Sequence, residues 1–369
     1  MREVKVRGEV LAGMKGCVES ASSNNTNAVE TLDPRSLPAN FSGKSKIPEH
    51  FHFARRCFLR ASGISLALPF LASLSPFATL HAADAADAAG GDVSSLAGRK
   101  AVFLGDSITQ GGGYVTFTAY YLARLFPQKD FDIFGLGLSS ETLSGLSEPN
   151  HAGGAFPRPC LFERLGWLLE RVKPDVSFAC YGINDGIYLP LDAERFAAFK
   201  NGVTKLIEQC KAAGVKDVFL VTPPIFDTQV KPGEFNYDSV LAEYAAWETS
   251  LKMPGVHVID LHTAMRKARD ARTEVFSKDR VHPGEEGHLF MARTILAALG
   301  VAVPDEPLAT VHADPLYKQV DLLRRHRSAH WMQHIGYTRE KTVEPQPLGD
   351  TETEAAKILE KINALRRQK

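Results

Sequence analysis

The 369-residue sequence lacks a charge of either sign: 43 Lys and Arg balance 43 Asp and Glu. No long-range field therefore favours nucleic acid or an anionic membrane. Its five cysteines (Cys17, Cys57, Cys160, Cys180, Cys210) are scattered and include no C-x-x-C pair, which argues against a disulfide framework and against thiolate-bound zinc. Neither G-x-x-x-x-G-K-[ST] nor a G-x-G-x-x-G in strand-turn-helix context occurs, so Gly111, Gly112 and Gly113 lack the surroundings of a phosphate or flavin cradle. A long unbroken apolar run is missing too. The candidate from Ala61 to Leu80 contains Gly63, Pro69, Pro76 and several serines, and makes a poor membrane span. What remains is the composition of a globular enzyme, with 44% hydrophobic and 23% charged residues.

The first ninety residues read as address rather than fold. Residues 1–50 are rich in Ser, Asn, Pro and charge without apolar periodicity; they are expected to be a disordered extension or the product of a misplaced start, Met14 being the one internal methionine before Arg55. Arg55-Arg56-Cys57-Phe58-Leu59-Arg60, the weakly apolar stretch and the A-x-A sites within His81–Ala89 together resemble a twin-arginine export signal over residues 51–90. The expected location is periplasmic or extracellular, an uncleaved lead-in or signal anchor being the other reading.

From Lys100 onward, short β-rich runs alternate with amphipathic stretches, the pattern of a parallel sheet flanked by helices. Strands are expected at Lys100–Leu104, Phe131–Phe134, Val176–Tyr181, Val218–Thr222 and Val256–Asp260. Asp192 can cap a helix whose apolar residues Phe196, Phe199, Val203, Leu206, Ile207 and Cys210 recur at helical spacing, and Gly214 can end it. Phe162–Val172, Tyr237–Leu251 and Glu285–Leu299 read similarly. The expected fold is a three-layer, flavodoxin-like α/β/α sandwich with a five-stranded parallel sheet over residues 98–304. Residues 305–369, with a basic run from Asp321 to His330 and a helix from Glu352 to Arg367, form a helical C-terminal extension packed on that domain.

In open sheets of this kind ligands bind beyond the carboxyl ends of the strands, and the notable residues fall there. Gly105-Asp106-Ser107 ends the first strand in a tight turn that exposes the Ser107 hydroxyl. A serine is a weak nucleophile without a base, an orienter for that base and donors for the oxyanion. Asp279-Arg280-Val281-His282 supplies a carboxylate three residues before an imidazole; Asp279 can fix the ring tautomer and leave the other nitrogen to take the Ser107 proton. Alone, such a pair could also lie on the surface or form half of a metal site, but no convincing further ligands accompany it. His257 and His262, flanking the fifth strand, and His288, inside the last core helix, read as structural. Gly182-Ile183-Asn184-Asp185, directly after the third strand, can turn the Asn184 amide into the cleft as an oxyanion donor.

These three blocks, in this order and strand context, resemble the SGNH (GDSL-type) hydrolase family from about Lys100 to Gly300. The resemblance implies a serine esterase, lipase, thioesterase or acyltransferase without cofactor or metal. It implies a triad of Ser107, Asp279 and His282, and an oxyanion hole made by the Ser107 N–H, a second-block N–H and the Asn184 side chain. The second block departs from the family pattern: Ser140 in Gly135-Leu136-Gly137-Leu138-Ser139-Ser140 occupies the usual glycine position, with Gly137 in reserve. Serine keeps the N–H, but a positive φ there favours glycine. The Pro- and Gly-rich segment 144–160 reads as an ordered insertion that could shape acyl or sugar selectivity. The expected substrate is a small-molecule or carbohydrate ester, with short acyl groups such as O-acetyl leading. The rival from another class is a non-catalytic flavodoxin-like binding module. Oligomeric state is not legible in these residues.

Overall fold

The computed structural model of the chain describes residues 92–228, 231 and 233–368. The segments read above as an extension and an export signal, 1–50 and 51–90, lie outside the described residues. Five short apolar strands, β1 (Lys100–Gly105), β2 (Asp132–Gly135), β3 (Val176–Cys180), β4 (Asp217–Val221) and β5 (Val256–Ile259), form one parallel sheet in the order β2-β1-β3-β4-β5. Every strand boundary falls within one residue of its sequence expectation. β3 is buried along its whole length and β1 from its second residue on, as strands covered on both faces must be. Facing residues Phe103, Phe178, Phe219 and His257 share one register across four strands, and their rings stack at centroid distances of 4.4, 4.6 and 4.6 Å. His257 closes this row and pairs through Nε2 with Asp217 at 3.0 Å, so its place is structural.

The order also fixes where a ligand goes. The chain runs outward from β1 to β2, then returns to the other side of β1 for β3, which opens a crevice at the carboxyl ends of β1 and β3. Helices flank the sheet to complete the α/β/α sandwich. α1 (Ser107–Gly111) and α2 (Gly113–Leu125) follow β1, α3 (Leu165–Val172) precedes β3, α4 (Ala193–Ala212) joins β3 to β4, and α5 (Asp238–Ser250) joins β4 to β5. α6 (Leu261–Asp270) and α7 (Glu285–Ala298) come after β5. Asp192 caps α4 by accepting from the N–H groups of Glu194 and Arg195, and Gly214 lies just past its end at φ +89°.

Three helices of the sandwich, α1, α2 and α6, have no counterpart in the sequence reading. α2 packs on both α7 and a later helix, and nine of its thirteen residues are buried. A helix covered on several sides loses the single apolar stripe by which helices are recognised. The covering element is α9 (Pro315–Ile335), preceded by α8 (Leu308–Ala313) and followed by the two-residue strands β6 (Tyr337–Thr338) and β7 (Thr342–Val343) and by α10 (Thr351–Arg366). α9 turns Leu316, Val320, Arg324, Arg327, Trp331 and Ile335 inward. The basic run thus faces the protein in part: Arg327 pairs with Asp132 and covers the Phe134 ring at 4.4 Å, while Arg324 Nε donates to Thr116. Among the described residues, no helix is long and apolar enough to cross a membrane.

One buried group works against the fold. Glu248 on α5 is 2% exposed and its Oε2 has no hydrogen-bond partner. Burial, with Asp185 and Asp260 nearby, pushes its carboxyl well above the usual range. An acid whose folded-state pKa is raised contributes stability below its unfolded pKa and loses it as pH rises. Glu248→Gln removes that loss, so its melting temperature is expected to gain on the parent between pH 5 and pH 8, by about 2–4 °C per kcal/mol relieved. A difference that stays constant over this range contradicts the assignment.

Candidate active site

Ser107 is the first residue of α1, directly after Asp106, whose Oδ1 caps the helix by accepting from the Ile108 N–H at 2.9 Å. The Ser107 N–H is therefore one of the orphan donors of a helix start. Burial lifts Asp106 to about 7 against the pull of the Ile108 N–H. Ser107 Oγ lies 2.7 Å from His282 Nε2, and His282 Nδ1 lies 2.7 Å from Asp279 Oδ2. Since the carboxylate accepts the Nδ1 proton, Nε2 carries the lone pair and faces the hydroxyl. Asp279 Oδ1 also accepts from the N–H groups of Val281 and His282 at 3.0 and 2.8 Å. Partial burial pushes the Asp279 carboxyl up, but the His282 hydrogen bonds outweigh it and hold Asp279 below the ordinary range. The side chains of His282 and Asp279 are 51% and 57% exposed, so the pair adds little to stability and serves orientation.

A group that sequence reasoning missed anchors this loop. Buried Asp227 accepts from the N–H groups of Phe276 and Ser277 and from Arg269 Nε, all within 3.0 Å. The Asp227 N–H in turn donates to the Arg280 carbonyl at 2.9 Å. No local motif marks it, because the partners stand some fifty residues away in sequence.

The residues read in the sequence as the oxyanion side stand on the loops after β2 and β3. Ser140 adopts φ +67°, the left-handed region that its replacement of glycine called into question. Gly137 has no positive φ; it is demanded by close approach, since a Cβ there would stand 2.3 Å from the Gln110 N and 2.7 Å from the Asp106 carbonyl. Its place is under the Gly105–Ser107 turn, and Ser140 is the second-block residue with the special conformation. Ser139 is fixed by donating through N and Oγ to Gln110 Oε1 at 2.8 and 2.6 Å. Asn184 is buried, its Oδ1 accepting from Arg158 Nη1 at 2.9 Å and from the Tyr188 hydroxyl at 3.2 Å. Those donors can meet only the amide oxygen, which settles the orientation of the NH₂. One Nδ2 hydrogen goes to the Glu141 carbonyl at 3.3 Å.

Two buried carboxylates hold these loops together. Asp185 accepts from the N–H groups of Leu143, Ser144 and Gly182 at 2.8, 2.7 and 3.0 Å, joining the β2 loop to the β3 loop. Glu141 receives Arg164 through Nε and Nη2 at 2.6 and 2.7 Å, and the Tyr181 hydroxyl at 2.6 Å. Arg164 Nη2 also reaches the Leu136 carbonyl at 2.8 Å. The segment 144–160 docks through Thr142 and Cys160 and sends Arg158 to Asn184.

The remaining sequence candidates serve packing. His262 is buried with Nδ1 3.3 Å from the Pro223 carbonyl. His288 stacks on Tyr114, and burial with Arg324 nearby lowers it to about 4. The glycines at 112 and 113 give room to α9 and α7: a Cβ would meet the Arg324 guanidinium at 2.6 Å and the His288 ring at 2.8 Å. Among the described residues, no group of three or more His, Cys, Asp or Glu could hold a metal ion.

Ser140→Gly tests the backbone reading. Left-handed backbone costs a non-glycine residue about 1–2 kcal/mol and glycine's extra chain freedom returns about 0.5–1 kcal/mol. The variant is expected to be up to about 1 kcal/mol more stable with turnover retained, and Ser140→Pro, which lacks the N–H and cannot take φ +67°, to lose both. Full activity in the proline variant would remove the Ser140 N–H from the site.

A serine on a strand-to-helix turn, facing an imidazole and a carboxylate at the carboxyl edge of a parallel α/β/α sheet, is the arrangement that serine-type hydrolysis requires. The profile of the GDSL-like Lipase/Acylhydrolase family matches residues 103–289. The chain belongs to that family and is a carboxylic ester hydrolase. No curated protein sequence matches it. Among solved structures it is similar to an acetylxylan esterase from Geobacillus stearothermophilus, with 23% identity over 57% of this chain and 98% of that one and a TM-score of 0.40. A GDSL-like lipase from Bacteroides thetaiotaomicron shares 19% identity over 59% of this chain and 95% of that one, with a TM-score of 0.36.

Proposed function

We propose that the protein hydrolyses esters through an acyl-enzyme on Ser107. The carrying observation is the unbroken relay from Ser107 Oγ to His282 Nε2 and from His282 Nδ1 to Asp279, each contact 2.7 Å. His282 takes the hydroxyl proton as Oγ attacks the carbonyl carbon, and Asp279 stabilises the imidazolium. The developing oxyanion is received by the N–H groups of Ser107 and Ser140 and by Asn184 Nδ2. His282 then protonates the leaving alcohol and, in the second half, activates the water that releases the acid.

The substrate class we propose is a short-acyl ester of a hydroxylated alcohol, O-acetylated carbohydrate foremost. Gln110 and Ser139 beside the oxyanion turn and Arg158 behind Asn184 make these surroundings polar, which suits a sugar better than an alkyl chain. Residues 51–90, read as an export signal, would put the enzyme where such polymers are met. A fluorophosphonate probe should add one adduct, mapped to Ser107 by peptide mass, and Ser107→Ala should abolish it. An unlabelled, folded protein that still hydrolyses an aryl acetate would refute the acyl-enzyme.

A further inference from the structure

Both amides assigned to the oxyanion have an arginine at their back. Arg158 Nη1 donates to Asn184 Oδ1 at 2.9 Å. Arg339 Nε, from the turn between β6 and β7, donates to the Ser139 carbonyl at 3.2 Å. That carbonyl belongs to the same peptide unit as the Ser140 N–H. In a trans peptide the C=O and N–H point opposite ways, so an N–H turned toward the oxyanion leaves the carbonyl turned toward Arg339. The Asn184 side chain repeats the arrangement, with Arg158 on the oxygen and Nδ2 on the other side.

We propose that Arg158 and Arg339 are positioning residues that polarise the two oxyanion amides. The inference rests on the serine-esterase reading above. An amide is one conjugated unit: a charged donor on its oxygen draws density from nitrogen and makes the N–H a stronger donor. Such coupling strengthens each hydrogen bond by about 10–30%. The gain is realised when the oxygen becomes an anion, so it falls on the transition state. Arg158 also fixes which way the amide points. Its own plane is set by Glu148, which takes Nε and Nη2 at 2.7 and 2.6 Å, and by the Tyr188 ring at 5.3 Å.

The two arginines are parts of one wall. The Arg339 guanidinium covers the Phe156 ring at 4.8 Å. Phe156 meets His151 edge-on at 5.4 Å, and His151 Nδ1 stands 3.4 Å from Glu148, the partner of Arg158. The insertion 144–160 and the C-terminal extension thus come together behind the oxyanion, which gives both segments a part in turnover.

The test compares Arg158→Met, Arg158→Lys, Arg339→Met and Arg339→Lys in the full chain, alone and with Asn184→Ala, on an aryl acetate. Asn184→Ala sets the ceiling for one donor at about 10²- to 10³-fold in kcat. Arg339→Met should lower kcat about 2- to 8-fold and Arg158→Met, since Arg158 also fixes the amide's orientation, about 3- to 10-fold, with KM within about twofold. Lysine should restore most of the loss. In the Asn184→Ala background Arg158→Met should cost nothing more, whereas Arg339→Met should keep its full effect. The Ki of a trifluoromethyl ketone, which presents an oxyanion on the enzyme, should rise in step with the loss in kcat/KM. Folded methionine variants with parental kcat and ketone Ki overturn the inference, as do folded lysine variants no better than the methionine ones, and so does an Arg158 effect that persists without Asn184. If Ser107→Ala still hydrolyses the acetate, it is the serine-esterase reading that fails; if Ser107→Ala is dead and the arginine variants are parental, this inference fails alone.

Discussion

Ser107→Ala is expected to lower ester hydrolysis by about 10⁴- to 10⁶-fold while the melting temperature stays near that of the parent. His282→Ala should fall as far, because each change removes the same nucleophile-base unit. The double variant should then be little worse than either single one. Both side chains lie at the carboxyl edge of the sheet, outside the core row of aromatic rings, so no large loss of packing accompanies either change. Asp279→Asn should keep more activity than these, since hydroxyl and imidazole remain and the loss is in tautomer and imidazolium stabilisation. Purified variants assayed on an aryl acetate, with melting curves alongside, decide the matter. A well-folded Ser107→Ala protein that keeps most of its activity, or activity abolished by a chelator and restored by zinc or manganese, would replace the serine mechanism with a metal-dependent one.

Truncation after Pro304 is the second large effect. It removes α8, α9 and α10, and with them Val311, Leu316, Val320, Trp331, Ile335 and Ile362, all 5% exposed or less. At about 1.5–3 kcal/mol for each buried apolar side chain, the loss is on the order of 10 kcal/mol. That equals the whole stability of a typical domain, about 5–15 kcal/mol. It also uncovers Phe117 and Tyr120 on α2, both packed on Tyr317 and neither more than 1% exposed. The truncated chain is expected to lose its cooperative thermal transition and to aggregate on expression. A soluble product that melts cooperatively within about 10 °C of the parent and hydrolyses ester would make α9 dispensable.

The difference between what the residues announced and what they concealed follows the range of the interactions. Strands buried on both faces announce themselves as short apolar runs, and all five were legible. Ser107 stands beside its glycine and aspartate, and Asp279 three residues before His282, so local spacing was enough to nominate them. α2 was silent because helices on two sides bury most of it, leaving no polar face to set a period. Arg158 and Arg339 were silent for another reason: their acceptors lie 26 and 200 residues away, and an arginine in a loop carries no mark of what it will touch. At Ser140 the sequence raised the right question, since serine stood where the family has glycine. It could not say that the backbone would take the left-handed form regardless, with Asp185 and the Gln110–Ser139 bonds holding its neighbours.

The close fit of Arg324 against Gly112, and of Arg339 against the Ser139 carbonyl, bears on when activity can arise as well as how. Translation delivers the nucleophile turn first and its support more than two hundred residues later. At about 5–20 residues per second, a growing chain carries Ser107 for some tens of seconds before α9 and the β6–β7 turn exist to back it. On the mechanism proposed above, Ser107 waits for α9 and the β6–β7 turn, and a nascent chain that lacks them holds its serine unarmed.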